Sequence, residues 1–159
     1  MANEYLLPVY KKLFGEDFNY YEFKHRMKMQ KAIYLLQEMG VPVGGYSYRW
    51  YLHGPYSQVL QDDMFEERGN PTKELVVSEE SLELIEKLGE VFHSKKQERY
   101  EEDEWVECLG SMLYLERRVL PADADQDAVV TRLMAEKEHL KYEAANKVAY
   151  ELLKELFAV

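Results

Sequence analysis

Between Phe18 and Ser57 the chain runs through a capping signal, an apolar helical stripe, a glycine stop, an alternating aromatic segment and the turn His53-Gly54-Pro55-Tyr56-Ser57. Met29, Ala32, Ile33, Leu36 and Met39 recur at spacings of three and four, which places them on one face of a helix. Asn19 with Glu22 fits a capping box at its start, and Phe18 with Phe23 a hydrophobic staple. Gly40 supplies a left-handed stop, and Pro42 cannot continue the helix. Lys24, Lys28 and Lys31 fall on another face, read as a solvated one. Tyr46, Tyr48, Trp50 and Leu52 then alternate with Ser47, Arg49, Tyr51 and His53, the period of a strand that Gly54-Pro55 ends.

Other segments read as helices that cover this unit. Pro8 fits the first turn of a short helix that Gly15 stops. Ser57 caps a helix carrying Val59, Leu60, Met64 and Phe65 inside and Asp62, Asp63, Glu66 and Glu67 outside. Leu75-Val76-Val77 suits a small second strand, and Ser78 with Glu79 and Glu80 opens a helix striped by Leu82, Ile85, Leu88 and Phe92. The polar run from Ser94 to Glu104 reads as a loop with frayed helical ends. Trp105, Leu109, Met112, Leu113 and Leu120 resume a helix that Pro121 ends, and Asp123 with Gln126 resembles a second capping box. Ala145, Val148, Ala149, Leu152, Leu153 and Leu156 stripe the last helix. The expected fold is mainly α, one compact domain over residues 1–159 with a small β element; strand, turn and helix are also compatible with a winged-helix arrangement.

Charge narrows the partners. The 159 residues carry 20 basic and 30 acidic side chains, a formal net charge of −10, so the mean field repels phosphate and anionic lipid. Nucleic acid is disfavoured. Cys108 is the single cysteine, which rules out an internal disulfide and a cysteine-rich zinc site and suits a reducing compartment. The opening Met1-Ala2-Asn3-Glu4 lacks the basic-then-apolar pattern of a secretory leader, and no run of about 18 apolar residues occurs, so no membrane partner and a cytoplasmic location are expected.

Signals for chemistry are sparse. His53 and Ser57 stand four apart around a turn, but the Gly-x-Ser-x-Gly elbow is absent, and a cap and a strand-end histidine account for them. The acidic pairs Asp62-Asp63 and Glu66-Glu67 lack a full coordination set, and His25, His53, His93 and His139 lack zinc spacing. Neither a Walker A sequence nor a dinucleotide fingerprint is present. No catalytic residue, metal or cofactor is expected. Tyrosine is the informative residue: Tyr5, Tyr10, Tyr20, Tyr21, Tyr34, Tyr46, Tyr48, Tyr51 and Tyr56 crowd the first third, where they suit either core wedges or a contact surface.

Phe23, Arg26, Gln30, Lys31, Tyr34, Leu35, Leu36, Gln37 and Gly40, followed by Tyr48, Tyr51, Gly54-Pro55-Tyr56-Ser57, Leu60 and Asp63, resemble the YwgA-type prokaryotic proteins. These in turn are distantly similar to the Panacea (SocA-like) antitoxin domain. The later helices agree loosely through Leu113-Tyr114-Leu115, Lys137, Ala149 and Leu152. The resemblance implies a helical domain with a small sheet, associated with phage or defence genes, that binds a toxin or a protease component by direct protein contact. Its turn reads Gly-Pro-Tyr-Ser as in the YwgA-type branch, whereas the antitoxin branch usually has a smaller apolar residue after the proline. The expected function is a non-enzymatic protein-binding module, antitoxin-like or regulatory; a winged-helix DNA-binding regulator is the alternative. The partner face is assigned to Arg49, Tyr51, His53 and Tyr56, with Gly54, Pro55 and Ser57 as the structural motif that presents it.

Overall fold

The computed structural model describes residues 3–158. Seven α-helices surround a two-stranded antiparallel hairpin: α1 Leu6–Phe14, α2 Phe23–Glu38, β1 Arg49–Tyr51, β2 Gly54–Tyr56, α3 Gln58–Glu67, α4 Glu79–His93, α5 Glu102–Tyr114, α6 Gln126–Glu136 and α7 Glu143–Leu156. The fold is thus mainly α with a small β element. No helix among the described residues is long and apolar enough to cross a membrane.

Helices α2 and α5 lie against each other at the centre. Every residue from Met27 to Leu36 is buried, as is every residue from Trp105 to Leu115, so neither helix has a solvent face along that length. This overturns the reading of Lys28 and Lys31 as solvated. Lys28 is held by Glu16 Oε2 at 3.2 Å and Glu102 Oε1 at 2.6 Å, over the Phe14 ring, while Lys31 is buried against α5; Lys24 alone of the three is exposed. At the end of α5 the helix widens into a π-turn, Leu115–Val119, before Pro121.

Helix ends follow local chemistry. Gly40, with φ +89°, turns the chain out of α2, and the Ser57 and Ser78 hydroxyls accept the amides of Leu60 and Ser81 at 3.1 Å as N-caps of α3 and α4. Two expected capping boxes are not formed. The Asn19 side chain accepts the Tyr21 amide at 3.0 Å in its own turn, so α2 begins four residues later with no side-chain cap. Phe23 is accordingly 51% exposed and stacks edge-on against His53 instead of stapling to Phe18. Near α6 it is Asp125, not Asp123, that caps, by accepting the Ala128 amide at 2.9 Å. Leu75-Val76-Val77 forms no strand; Leu75 and Val77 pack on the core and Val76 is exposed.

The aromatic segment is also shorter as a strand than its alternation suggests. Only Arg49–Tyr51 pair, and their partner is the Gly54–Tyr56 stretch, with Trp50 opposite Pro55 and Tyr51 opposite Gly54. The Gly-Pro motif is therefore the second strand rather than the end of the first. The segment before β1 is held differently, by two glutamines one heptad apart on α2. Gln37 donates to the Tyr46 carbonyl at 2.8 Å and accepts its amide at 2.9 Å; Gln30 does the same for Ser57, both at 2.9 Å. Each primary amide mimics a strand neighbour, so the hairpin segment is tied to α2 at both ends. Tyr46 and Tyr48 are buried beneath it, Trp50 is partly buried and Leu52 is exposed. The fully buried tryptophan is Trp105, whose indole donates to the Val91 carbonyl at 2.9 Å.

Candidate functional site

Where the hairpin leans on α2 it leaves a cavity of about 200 Å3, lined by Phe23, Arg26, Met27, Lys31, His53 and Tyr56 among others. Its walls follow from the pairing above. Tyr51 and Tyr56, one on each strand, stack with ring centroids 5.2 Å apart and form one side. Phe23, at the uncapped start of α2, forms the other, its ring 5.0 Å from that of His53. Arg26 lies over the Tyr20 and Phe23 rings, and its guanidinium donates to the Tyr20 carbonyl at 2.5 Å.

The floor is charged. Lys31 is 2% exposed, and burial pulls its ammonium down to about 7, opposed in part by Glu107. Glu107, from α5, is equally buried; its Oε1 meets His139 Nε2 at 2.9 Å, and its Oε2 lies 3.8 Å from His53 Nδ1. Burial likewise holds His53 below the ordinary histidine range despite the Glu107 carboxylate. Lys137, just past α6, donates to the carbonyls of Tyr51 and Leu52 at the tip of the hairpin, with its ammonium 4.7 Å from the Trp50 ring centroid. Burial lowers its ammonium too, again against Glu107.

Backbone at two glycines makes room for this floor. Gly54 has φ +96°, a region that side-chain-bearing residues rarely adopt, and a Cβ there would lie 2.2 Å from Ser111 Oγ and 3.6 Å from Lys31 Cε. At Gly110, on the facing turn of α5, a Cβ would come within 3.0 Å of the Lys31 side chain.

Of the residues assigned to the partner face, Tyr51, His53 and Tyr56 line the cavity together. Arg49 stands across the strand pair from Tyr56 and lines an adjoining groove with Tyr51, Tyr56 and Ser57. Ser57 is buried and its hydroxyl is engaged as the α3 cap, so it belongs with Gly54 and Pro55 in the frame. The sequence reading did not assign Phe23, Arg26, Lys31, Glu107, Lys137 or His139 to the site. One signal for Lys31 is legible: it stands four residues after Met27 and three before Tyr34, inside an apolar pattern rather than opposite it. Glu107 in the middle of an apolar run, Trp105-Val106-Glu107-Cys108-Leu109, is a second.

The arrangement offers donors and a proton-exchanging amine around a small concavity, with one carboxylate behind them. Among the described residues no group of three His, Cys, Asp or Glu is placed to hold a metal ion. No protein-family model, curated protein or solved structure matches this chain.

Proposed function

We propose that the protein is a non-enzymatic protein-binding module, antitoxin-like or regulatory, whose partner docks on the outer face of the hairpin and the start of α2. The observation that carries this reading is the rim of the cavity. Phe23 is 51% exposed and Tyr51 54% exposed, and with Tyr56, Arg26 and Arg49 they form an aromatic and arginine surface around a concavity. Large aromatics and arginines in such a setting are the residues that dominate binding energy at protein interfaces. Nearby, Tyr21 is 76% and Phe65 46% exposed, with Arg68 stacked on the Phe65 ring, which extends the same character along the edge of α3. The resemblance of Phe23 to Asp63 to proteins related to the Panacea antitoxins agrees with a toxin or a protease component as partner.

A photo-crosslinking residue at position 51, with a control at position 76 on the exposed Val76, tests the reading in source cells. The expected result is a discrete adduct from position 51 and none from position 76, with the position-51 adduct lost when Arg49→Ala is added. Equal adducts from both positions, or capture unaffected by Arg49→Ala with Tyr51→Ala in a folded protein, would overturn it.

An enzyme is the second reading, favoured by His53 and Lys31 lining one cavity with the Glu107 carboxylate behind His53. Ser57 offers it no nucleophile, since that hydroxyl caps a helix. Lys31 adducts trapped by borohydride from simple aldehydes, together with no crosslink from position 51, would favour this alternative.

A further inference from the structure

Lys31 is the cation at the cavity floor that the fold leaves without a partner. Among the described residues it takes part in no hydrogen bond or ion pair, although it is 2% exposed and borders the cavity. The nearest carboxylate, Glu107, acts on it only from beyond ion-pair distance. Glu107 Oε1 is taken by His139 at 2.9 Å, and its buried Oε2 accepts no hydrogen bond, lying 3.8 Å from His53 Nδ1. An ammonium buried without a partner is disfavoured, yet Gly54 and Gly110 keep open the room its stem occupies. The groups that face it complete the electrostatics: Arg26 from α2, His53 from the hairpin, Glu107 from α5, and Lys137 and His139 from the segment after α6. Arg26, Lys31 and Lys137 thus stand around the buried Glu107, with Glu136 at the end of α6 acting on Lys137 as well. In a chain of net charge −10 this is a local excess of positive charge, and more distant acidic groups are screened beyond about 8 to 10 Å.

We propose that the cavity binds a carboxylate, the acidic side chain of a partner protein segment, with Lys31 Nζ and Arg26 as donors and Phe23, Met27, Tyr51 and Tyr56 around its apolar stem. This rests on the protein-binding reading above and names the chemistry of the anchor. Size favours a side chain over a free metabolite, since about 200 Å3 falls below the roughly 300–1,000 Å3 of small-molecule pockets. Hydrogen bonding favours it over a chain terminus. A terminus would bring backbone amides needing acceptors, and the Gln30 amide oxygen at this wall is already taken by Ser57. A carboxylate on Lys31 replaces the solvation that burial removed, so binding restores the ammonium and takes up a proton near neutral pH.

The probes are two blocked peptides, acetyl-Ala-Phe-Glu-Phe-Ala-amide and its Gln counterpart, and free 3-phenylpropanoate with its neutral amide, each titrated into the full chain and followed through the Lys31 ε-CH2 resonances. The Glu peptide should bind at least tenfold tighter than the Gln peptide at pH 6.5, with the ratio shrinking by pH 8.5. In a folded Lys31→Met variant, followed through the Tyr51 and Tyr56 ring resonances, the ratio should fall at least fivefold and lose its dependence on pH. Glu and Gln peptides of equal affinity would overturn the anchor while leaving the docking surface in place. Binding of 3-phenylpropanoate without the Glu peptide would assign the pocket to a free carboxylate and overturn the protein source. No response of Lys31 to any probe overturns the pocket, and the crosslink from position 51 then decides separately whether the docking reading survives.

Discussion

Gly110 lies flat against the stem of Lys31, so that a Cβ at position 110 would meet both Lys31 Cβ and Cγ at 3.0 Å. These are the atoms nearest the α2 backbone and have little freedom to move aside. Gly110→Ala gains up to about 1 kcal/mol of helix propensity but forces an overpacked contact costing about 1 to 3 kcal/mol. The expected net result is a destabilisation of about 1 kcal/mol, with the Lys31 ε-CH2 resonances displaced. Gly89, within α4, is the control, because a Cβ there would touch only Leu13 Cδ2 at 3.8 Å. Gly89→Ala should therefore raise the urea midpoint while Gly110→Ala lowers it, and a stabilised Gly110→Ala protein would show that the Lys31 stem is free to yield.

Gln30 holds the end of the hairpin as a strand neighbour would. Gln30→Leu fills the same space but leaves the buried amide of Ser57 without a partner, while the Ser57 carbonyl keeps the Gln61 amide at 3.1 Å. Orphaning one buried backbone donor is expected to cost about 1 to 3 kcal/mol. Gln37→Leu should cost less, because its two bonds to Tyr46 are only partly buried and water can take them over. Denaturant melts of the two variants give the comparison directly; equal losses would mean that burial does not set the value of these bonds.

Two separate constraints keep position 54 a glycine, its backbone angle and the side chain beside it. The Gly-Pro motif was legible as a turn requiring glycine, and the backbone φ of +96° bears out that requirement. What was not legible is the approach of Ser111 from α5, 2.2 Å from where a Cβ would stand. Strain of about 1 to 3 kcal/mol and overpacking of similar size should make Gly54→Val lose about 2 to 6 kcal/mol. Adding Ser111→Gly should return the overpacking part and leave the strain. A double variant no more stable than Gly54→Val would assign the whole loss to the backbone.

Local signals carried most of the helices and little of the cavity, for a physical reason. Caps at Ser57 and Ser78, the stop at Gly40 and the stripes of α2, α4 and α7 depend on residues within a turn or two of each other, so spacing alone reveals them. The face assigned to Arg49, Tyr51, His53 and Tyr56 came out exposed or half-buried because strand alternation separates it from Tyr46 and Tyr48. The floor could not be read this way. Lys31 and Glu107 each stand inside an apolar pattern, but they and Lys137 come from three distant segments, and no local spacing brings the three together. The same holds for Leu75-Val76-Val77, whose composition predicts a strand although the segment pairs with none.

The depressed ammonium of Lys31 makes the stability of the fold depend on pH. In the folded chain it titrates at about 7 against an ordinary value of 10.5. Between those values the unfolded chain binds the proton and the folded chain does not, so stability rises with pH, by at most about 1.4 kcal/mol per unit from this group. The penalty for the buried charge is thus full below pH 7 and relieved as pH climbs; Lys137, also lowered by burial, acts in the same direction. Above about pH 9 the trend is opposed, since burial raises the Cys108 thiol and the Tyr10, Tyr34, Tyr46, Tyr48 and Tyr100 phenols, groups whose unfolded forms begin to ionise there. Lys31→Met replaces the buried charge with an apolar chain of similar length and should exceed the parent in stability at pH 6.5. By pH 9 that advantage should have fallen by about 2 kcal/mol. Urea denaturation of both proteins at half-unit steps measures the difference, from which every other titrating group cancels to first order. Parallel stability curves for parent and variant across this range would mean that the Lys31 amine keeps its solvation in the folded protein, and the floor of the cavity would then be wetter than its burial implies.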